Sequence, residues 1–77
     1  MRGYSQHIVE RNAEADPENL GVLLGKLCIH LKYPAAKVAN ELGISRQAVY
    51  HYFLGRVKPQ KDREIQIIEL IHKLKTF

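Results

Sequence analysis

Polar side chains at helical spacing between residues 46 and 54 could recognise the edges of nucleic-acid bases. At 100° per residue, one arc of roughly 140° contains Arg46, Gln47, Tyr50, His51 and Leu54. Arginine can form two hydrogen bonds with guanine, and glutamine can do the same with adenine. We therefore predict base contacts from Arg46 and Gln47 above all, with Tyr50 and His51 contacting bases or backbone. A solvated helix face that binds nothing is the alternative.

Basic residues surround this segment. Arg56, Lys58 and Lys61 follow it and Lys37 precedes it, and we predict that all four contact phosphates. Such contacts set affinity and register rather than sequence preference. The chain carries 12 Lys and Arg against 8 Asp and Glu, a net charge of +4. Residues 32–77 hold nine basic and four acidic residues, whereas residues 1–31 have a net charge of −1. A basic half indicates an anionic partner such as nucleic acid, although basic residues kept for solubility are the alternative.

Proline, glycine and capping residues divide most of the chain into four predicted helices. Their ranges are about 17–31, 34–42, 45–54 and 62–75. The N-caps expected from side-chain chemistry are Asp16, Ser45 and Asp62. The residues expected to end helices are Tyr33 before Pro34, then Gly43 and Gly55. No stretch alternates apolar and polar residues, so we predict no strands and an all-α fold.

Apolar spacing predicts which faces are buried. In the first of these helices the predicted buried leucines are Leu20, Leu23, Leu24, Leu27 and Leu31. In the helix over 45–54, Ala48, Val49 and Tyr52 are expected to face the core, with Phe53 on the flank. Residues 1–15 are either a mobile arm or a short helix capped by Ser5. We favour the short helix, with Ile8 and Val9 docking onto the body of the domain.

The segment from Ala35 to Leu54 fits a helix-turn-helix. Gly43 can adopt a positive φ in the tight turn, and the small Ala39 lets the two helices approach. The string Val38-Ala39-Asn40-Glu41-Leu42-Gly43-Ile44-Ser45-Arg46-Gln47-Ala48-Val49-Tyr50 resembles the Cro/C1-type (XRE) helix-turn-helix family of phage and bacterial repressors. Downstream, Gly55-Arg56-Val57-Lys58-Pro59 resembles the glycine, basic loop and proline of that family. The resemblance covers residues 20–74, about three quarters of the chain.

This resemblance implies a compact lambda-repressor-like domain of four to five helices over residues 16–77. It also implies a sequence-specific, DNA-binding transcriptional regulator, dimeric on a partly palindromic operator, which represses by blocking polymerase. The predicted base contacts are Ser45, Arg46, Gln47, Tyr50 and His51. One departure from the family is Pro34-Ala35-Ala36, where polar residues are usual. Side-chain contacts to phosphate are therefore not expected from these residues, although their backbone amides remain available.

The last predicted helix is rich in apolar residues, whose arc of about 180° is wider than one core face needs. It could simply cover the core, but we favour a homodimer that uses part of this arc. The residues predicted for the interface are Ile67, Ile68, Ile71, Leu74 and Phe77. Two half-sites about 34 Å apart on DNA are the common arrangement for such dimers.

Other classes of function have little support in the sequence. The single cysteine, Cys28, and four scattered histidines give neither a disulfide nor zinc-type spacing, so we expect no metal, cofactor or small-molecule ligand. No catalytic constellation is visible, so we expect no enzyme. No apolar run has membrane-spanning length and no secretory signal is visible, so we expect the chain to be cytoplasmic.

The main alternative to a DNA-binding regulator is a protein-interaction module of antitoxin or host-factor-binding type. RNA binding is a third possibility, without the usual β-sheet platform.

Overall fold

The computed structural model describes residues 4–76, which form five α-helices and no β-strand. The helices are Gln6–Glu14 (α1), Leu20–Leu31 (α2), Ala35–Leu42 (α3), Arg46–Phe53 (α4) and Lys61–Lys75 (α5). The all-α prediction is therefore confirmed, as is the short N-terminal helix. The Ser5 hydroxyl caps α1 by accepting a hydrogen bond from the Ile8 amide at 3.3 Å. Ile8 and Val9 are half-buried.

Two predicted N-caps, Asp16 and Asp62, are wrong, and α2 begins later than predicted, whereas α5 begins within one residue of its predicted start. The Asp16 carboxylate accepts from the Glu18 amide at 3.0 Å and closes a turn, so α2 does not begin at residue 17. Asn19 caps α2 instead, accepting from the Gly21 amide at 2.8 Å. Asp62 lies inside the first turn of α5, where a negative charge favours the helix dipole, and the N-cap position is Gln60.

The leucine spacing of α2 predicted its buried face only in part. Leu24 is buried, but Leu23 and Leu31 are 42% and 38% exposed, and Leu20 and Leu27 are half-buried. Small residues form the side of α2 that faces α4, and this lets the two helices pack very close together. The buried residues of α2 are Gly21, Val22, Leu24, Gly25 and Cys28. A pattern of leucines contains no glycine, so it cannot identify the buried face of α2 that Gly21 and Gly25 form.

The C-terminal end of α4 packs directly against Gly21 and Gly25. A Cβ on Gly25 would lie 2.9 Å from Cγ of Phe53, and one on Gly21 would lie 2.8 Å from the Tyr52 carbonyl oxygen. Both separations are too short for real side chains, so glycine is required at this crossing. Phe53 is consequently fully buried rather than on the flank, while Tyr52, predicted for the core, is half-buried. The prediction for Val49 is confirmed, since it is fully buried.

Cys28, on α2, has its side chain in the hydrophobic core and is fully buried. Burial raises the pKa of its thiol to about 12, with a smaller contribution from the charge of Glu41. We expect the native chain to resist a thiol-specific reagent at pH 8, because only the thiolate reacts and the sulfur is covered. The reaction rate with Ellman's reagent, with and without urea, tests this prediction. Rapid stoichiometric labelling of the native chain would contradict it.

Candidate nucleic-acid interface

α3 and α4 form a helix–turn–helix whose turn is built as the sequence predicts. Gly43 ends α3 with φ of 70°, and the Ile44 amide donates to the Ala39 carbonyl oxygen at 3.0 Å. The Ser45 hydroxyl then caps α4 by accepting from the Ala48 amide at 3.1 Å. Behind the turn, Val38, Leu42 and Val49 are buried together in the core cluster of the domain. The N-terminal end of α4 is therefore held rigidly against α3.

The exposed residues of α4 are clustered at this rigid end. Ser45, Arg46 and Gln47 are exposed, and His51 is half-buried one turn later. The side chains of Arg46 and Gln47 form no hydrogen bond with another described residue, so both are available to a ligand. The structure thus leaves three of the five predicted base-contacting residues exposed, and a fourth, His51, half-buried one turn away.

The fifth, Tyr50, is half-buried in an aromatic cluster. Its ring lies 6.5 Å from that of Tyr4 and 6.4 Å from that of Phe53, both in edge-to-face arrangements. The Tyr4 hydroxyl donates to the Tyr33 carbonyl oxygen, and burial raises the pKa of Tyr4 well above its ordinary value. Tyr50 is thereby fixed in position, with only part of its ring available to DNA.

The predicted phosphate contacts lie on both sides of α4. Lys37 is exposed on α3, and Arg56, Lys58 and Lys61 are exposed after α4. The loop that carries Arg56 and Lys58 and leads into Lys61, the first residue of α5, is tied to the body of the domain. The Arg56 amide donates to the His51 carbonyl oxygen at 3.0 Å, and Pro59 is buried. The cations are therefore presented by an anchored loop.

Sequence reasoning missed a depression between α4 and the start of α3. It has a volume of about 220 Å³, and its lining residues are Tyr4, Lys32, Pro34, Ala35, Ala36, Arg46 and Tyr50. Two of these residues, Lys32 and Arg46, are cationic, and Pro34 provides no side-chain cap for α3. No side chain caps the first amides of α3, so they remain available to an anion. Neither Lys32 nor Tyr4 was detectable from periodicity, because both lie outside regular helix.

Acidic residues lie beside one end of the basic surface formed by α3, α4 and the loop after α4. Glu14, Asp16 and Glu18 are exposed on α1 and on the turn that follows it. Glu14 and Arg56 line the same shallow depression. A polyanion is repelled by this acidic edge, so the edge limits the attractive surface to α3, α4 and the loop after α4.

The predicted dimer interface needs correction. Ile67 and Leu74 are 0% and 2% exposed because they fill the chain's own core, so neither can contact a partner. Ile68 is exposed and Ile71 half-buried, and Phe77 lies outside the described residues. The arc of about 180° predicted for α5 includes residues of the buried face of the helix as well as residues of its exposed face.

No group of three or more His, Cys, Asp or Glu side chains converges as metal ligands within residues 4–76. No described helix combines the length and the apolar character needed to cross a membrane.

Comparison of the chain with models of known protein families, with curated proteins and with solved structures gives no match.

Proposed function

We propose that the chain is a sequence-specific DNA-binding protein that inserts the N-terminal end of α4 into the major groove. The observation that carries this proposal is the surface around Ser45, Arg46 and Gln47. These side chains are exposed at a rigidly capped helix end, and further exposed cations lie on α3 and on the segment that follows α4. An α-helix fits the major groove of B-DNA, which is about 12 Å wide. Bases would be contacted from α4, and phosphates from the cations on α3 and the following loop.

The regulatory role is a further part of the proposal and rests on the resemblance of residues 20–74 to the Cro/C1-type family. A domain of this size bound across a promoter excludes polymerase, so we propose repression by occlusion in the cytoplasm. Cellular concentration or a partner protein would then set occupancy.

Fluorescence anisotropy with random-sequence duplex DNA tests the proposal directly. Four phosphate contacts give a slope near −3.6 in log affinity against log salt concentration. We therefore expect affinity to fall about 100-fold between roughly 50 and 200 mM salt. Selection of bound duplexes from the random pool should then enrich a preferred sequence. Absence of binding at the lower salt concentration would contradict the proposal.

The basic loop permits a sharper prediction. The triple variant R56A/K58A/K61A is expected to reduce the salt slope by about 2.7, because each lost phosphate contact removes about 0.9. The loss should be equal on preferred and random duplexes, since these residues contact no bases. Lys73→Ala is the matched control, because Lys73 is an exposed lysine of α5 that pairs only with Glu41, at 3.4 Å. A triple variant with an unchanged slope would exclude this loop from the interface.

The protein-interaction alternative has one observation in its favour, an apolar groove between α2 and α5. A chain that acted only through this groove would have weak or salt-insensitive DNA affinity. It would also co-purify with a different protein.

A further inference from the structure

Tyr4 connects the start of the described chain to α4 and to the short connection between α2 and α3. Its hydroxyl group donates a hydrogen bond to the carbonyl oxygen of Tyr33 in that connection. Its ring lies 6.5 Å from the ring of Tyr50 and 6.0 Å from that of Phe53, both on α4. Tyr33 is itself buried, and its amide donates to the Cys28 carbonyl oxygen at 2.9 Å. Tyr4 is therefore anchored to a fixed part of the domain while its ring packs against α4.

The Tyr50 ring is held by two other rings, but its hydroxyl group is not. Tyr4 and Phe53 meet this ring at interplanar angles of 88° and 82°, the edge-to-face arrangement that aromatic pairs favour. The Tyr50 hydroxyl forms no hydrogen bond with any residue between 4 and 76. Every buried side-chain oxygen or nitrogen in that range has a partner, so this unpartnered hydroxyl must reach solvent. It can therefore donate to a ligand or accept from one.

Tyr50 shares its surroundings with Arg46, one of the predicted base contacts. The two residues are four positions apart on α4, so they lie on the same face of the helix. Both line the depression of about 220 Å³ that Tyr4 also lines. A side chain that is already immobile before binding loses less conformational entropy when it contacts a partner. The Tyr4 ring therefore prepares Tyr50 for contact with DNA on the face that carries Arg46.

We propose that Tyr4 determines part of the recognised DNA sequence by holding the Tyr50 ring where its hydroxyl group meets one base edge. This inference rests on the proposed function of α4. Tyr4 is a positioning residue rather than a base contact, because its own hydroxyl hydrogen is committed to the Tyr33 carbonyl oxygen. Tyr4 also lies outside residues 20–74, which carry the resemblance to the Cro/C1-type family. Sequence preference would then depend on a segment that this resemblance does not include.

Two substitutions of Tyr4 separate the effect of its ring from that of its hydroxyl group. Tyr4→Leu keeps an apolar side chain but removes the ring contact with Tyr50, whereas Tyr4→Phe keeps the ring. An aromatic pair is equivalent to a factor of about 2- to 12-fold. We expect Tyr4→Leu to reduce the preference of the chain at one base pair of the selected duplex by about that factor, and Tyr4→Phe to keep most of that preference. The affected base pair should be the one at which Tyr50→Phe, which removes the contacting hydroxyl, also relaxes preference.

A double variant separates positioning from a general loss of packing. If Tyr4 acts through the Tyr50 hydroxyl, Tyr4→Leu should remove no further preference in a chain that already carries Tyr50→Phe. A purely structural role would instead weaken binding to preferred and random duplexes alike. Val9→Ala is the matched control, since Val9 is half-buried on α1 but does not line the depression, and it should leave the preference unchanged. Circular dichroism checks that every variant remains helical.

Nuclear magnetic resonance of the free chain, with labelled tyrosine rings, tests the positioning without DNA. We expect the order parameter of the Tyr50 ring to fall in Tyr4→Leu and to remain that of the wild-type chain in Val9→Ala. An unchanged order parameter in Tyr4→Leu, or an unchanged base preference, would overturn the role of Tyr4 and leave the proposed function standing. A wild-type chain that binds DNA without any preferred sequence would overturn sequence-specific recognition itself, and the role of Tyr4 with it.

Discussion

Replacement of Asn12 by alanine is expected to lower the free energy of unfolding by about 3 kcal/mol. Asn12 is the buried polar residue of α1, with 3% of its surface exposed. Its amide group donates to the Phe53 carbonyl oxygen at 2.7 Å and to the Val22 carbonyl oxygen at 3.2 Å. Alanine would leave both buried acceptors without this donor and would create a small cavity. A domain of 77 residues has a total stability of about 4 to 12 kcal/mol, so the loss is a large fraction.

Urea denaturation followed by far-UV circular dichroism measures this effect. Asn40→Ala is the matched control, because Asn40 is an exposed asparagine in α3, and its replacement should change stability by less than about 0.5 kcal/mol. Asn12→Asp should be at least as damaging as alanine, since a carboxylate cannot donate to two carbonyl oxygens. A loss below about 1 kcal/mol for Asn12→Ala would show that α1 does not tie α2 to α4 through this side chain.

The elements that carry the candidate site could be predicted because their signals are local. Gly43 ends α3 and Ser45 caps α4 through contacts within four residues along the chain. The spacing of Val38, Leu42 and Val49 then predicts which sides of these helices are buried. Short-range chemistry of this kind is visible in the residue order itself, so α3 and α4 have the predicted bounds within a residue.

The failures concern contacts between residues distant in the chain. Asn12 contacts Phe53 across 41 positions, and no pattern in α1 distinguishes this asparagine from an exposed one. Gly25 must be glycine because Asn12 and Phe53, both distant in the chain, occupy the space where a Cβ would be. The placement of Tyr4 against Tyr50 is equally remote. Hydrophobic periodicity gives a helix one apolar stripe, so it assigned the outward-facing Leu23 to the core and Phe53 to its edge.

Gln47→Ala is expected to weaken binding to the preferred duplex by about 5- to 150-fold, the range of one lost bidentate base contact. Binding to random duplex should be unchanged, because a neutral side chain contributes nothing to counterion release. Preference should relax at a single base pair. The measurement is anisotropy on the selected duplex and on its single-position variants. Gln66→Ala is the control, since Gln66 is an exposed glutamine of α5 whose side chain accepts a hydrogen bond from Arg63 at 2.8 Å.

Arg46 requires a different comparison because its charge can act on phosphate as well as on a base. Arg46→Lys keeps the charge but loses the paired donors that match guanine. If Arg46 contacts a base, the lysine variant should lose most of the preference at one position while its salt slope remains that of the wild-type chain. If Arg46 contacts only phosphate, lysine should restore nearly full affinity, and Arg46→Ala should weaken all duplexes equally. An equal loss on preferred and random DNA for both Gln47→Ala and Arg46→Ala would mean that α4 binds DNA without recognising its sequence.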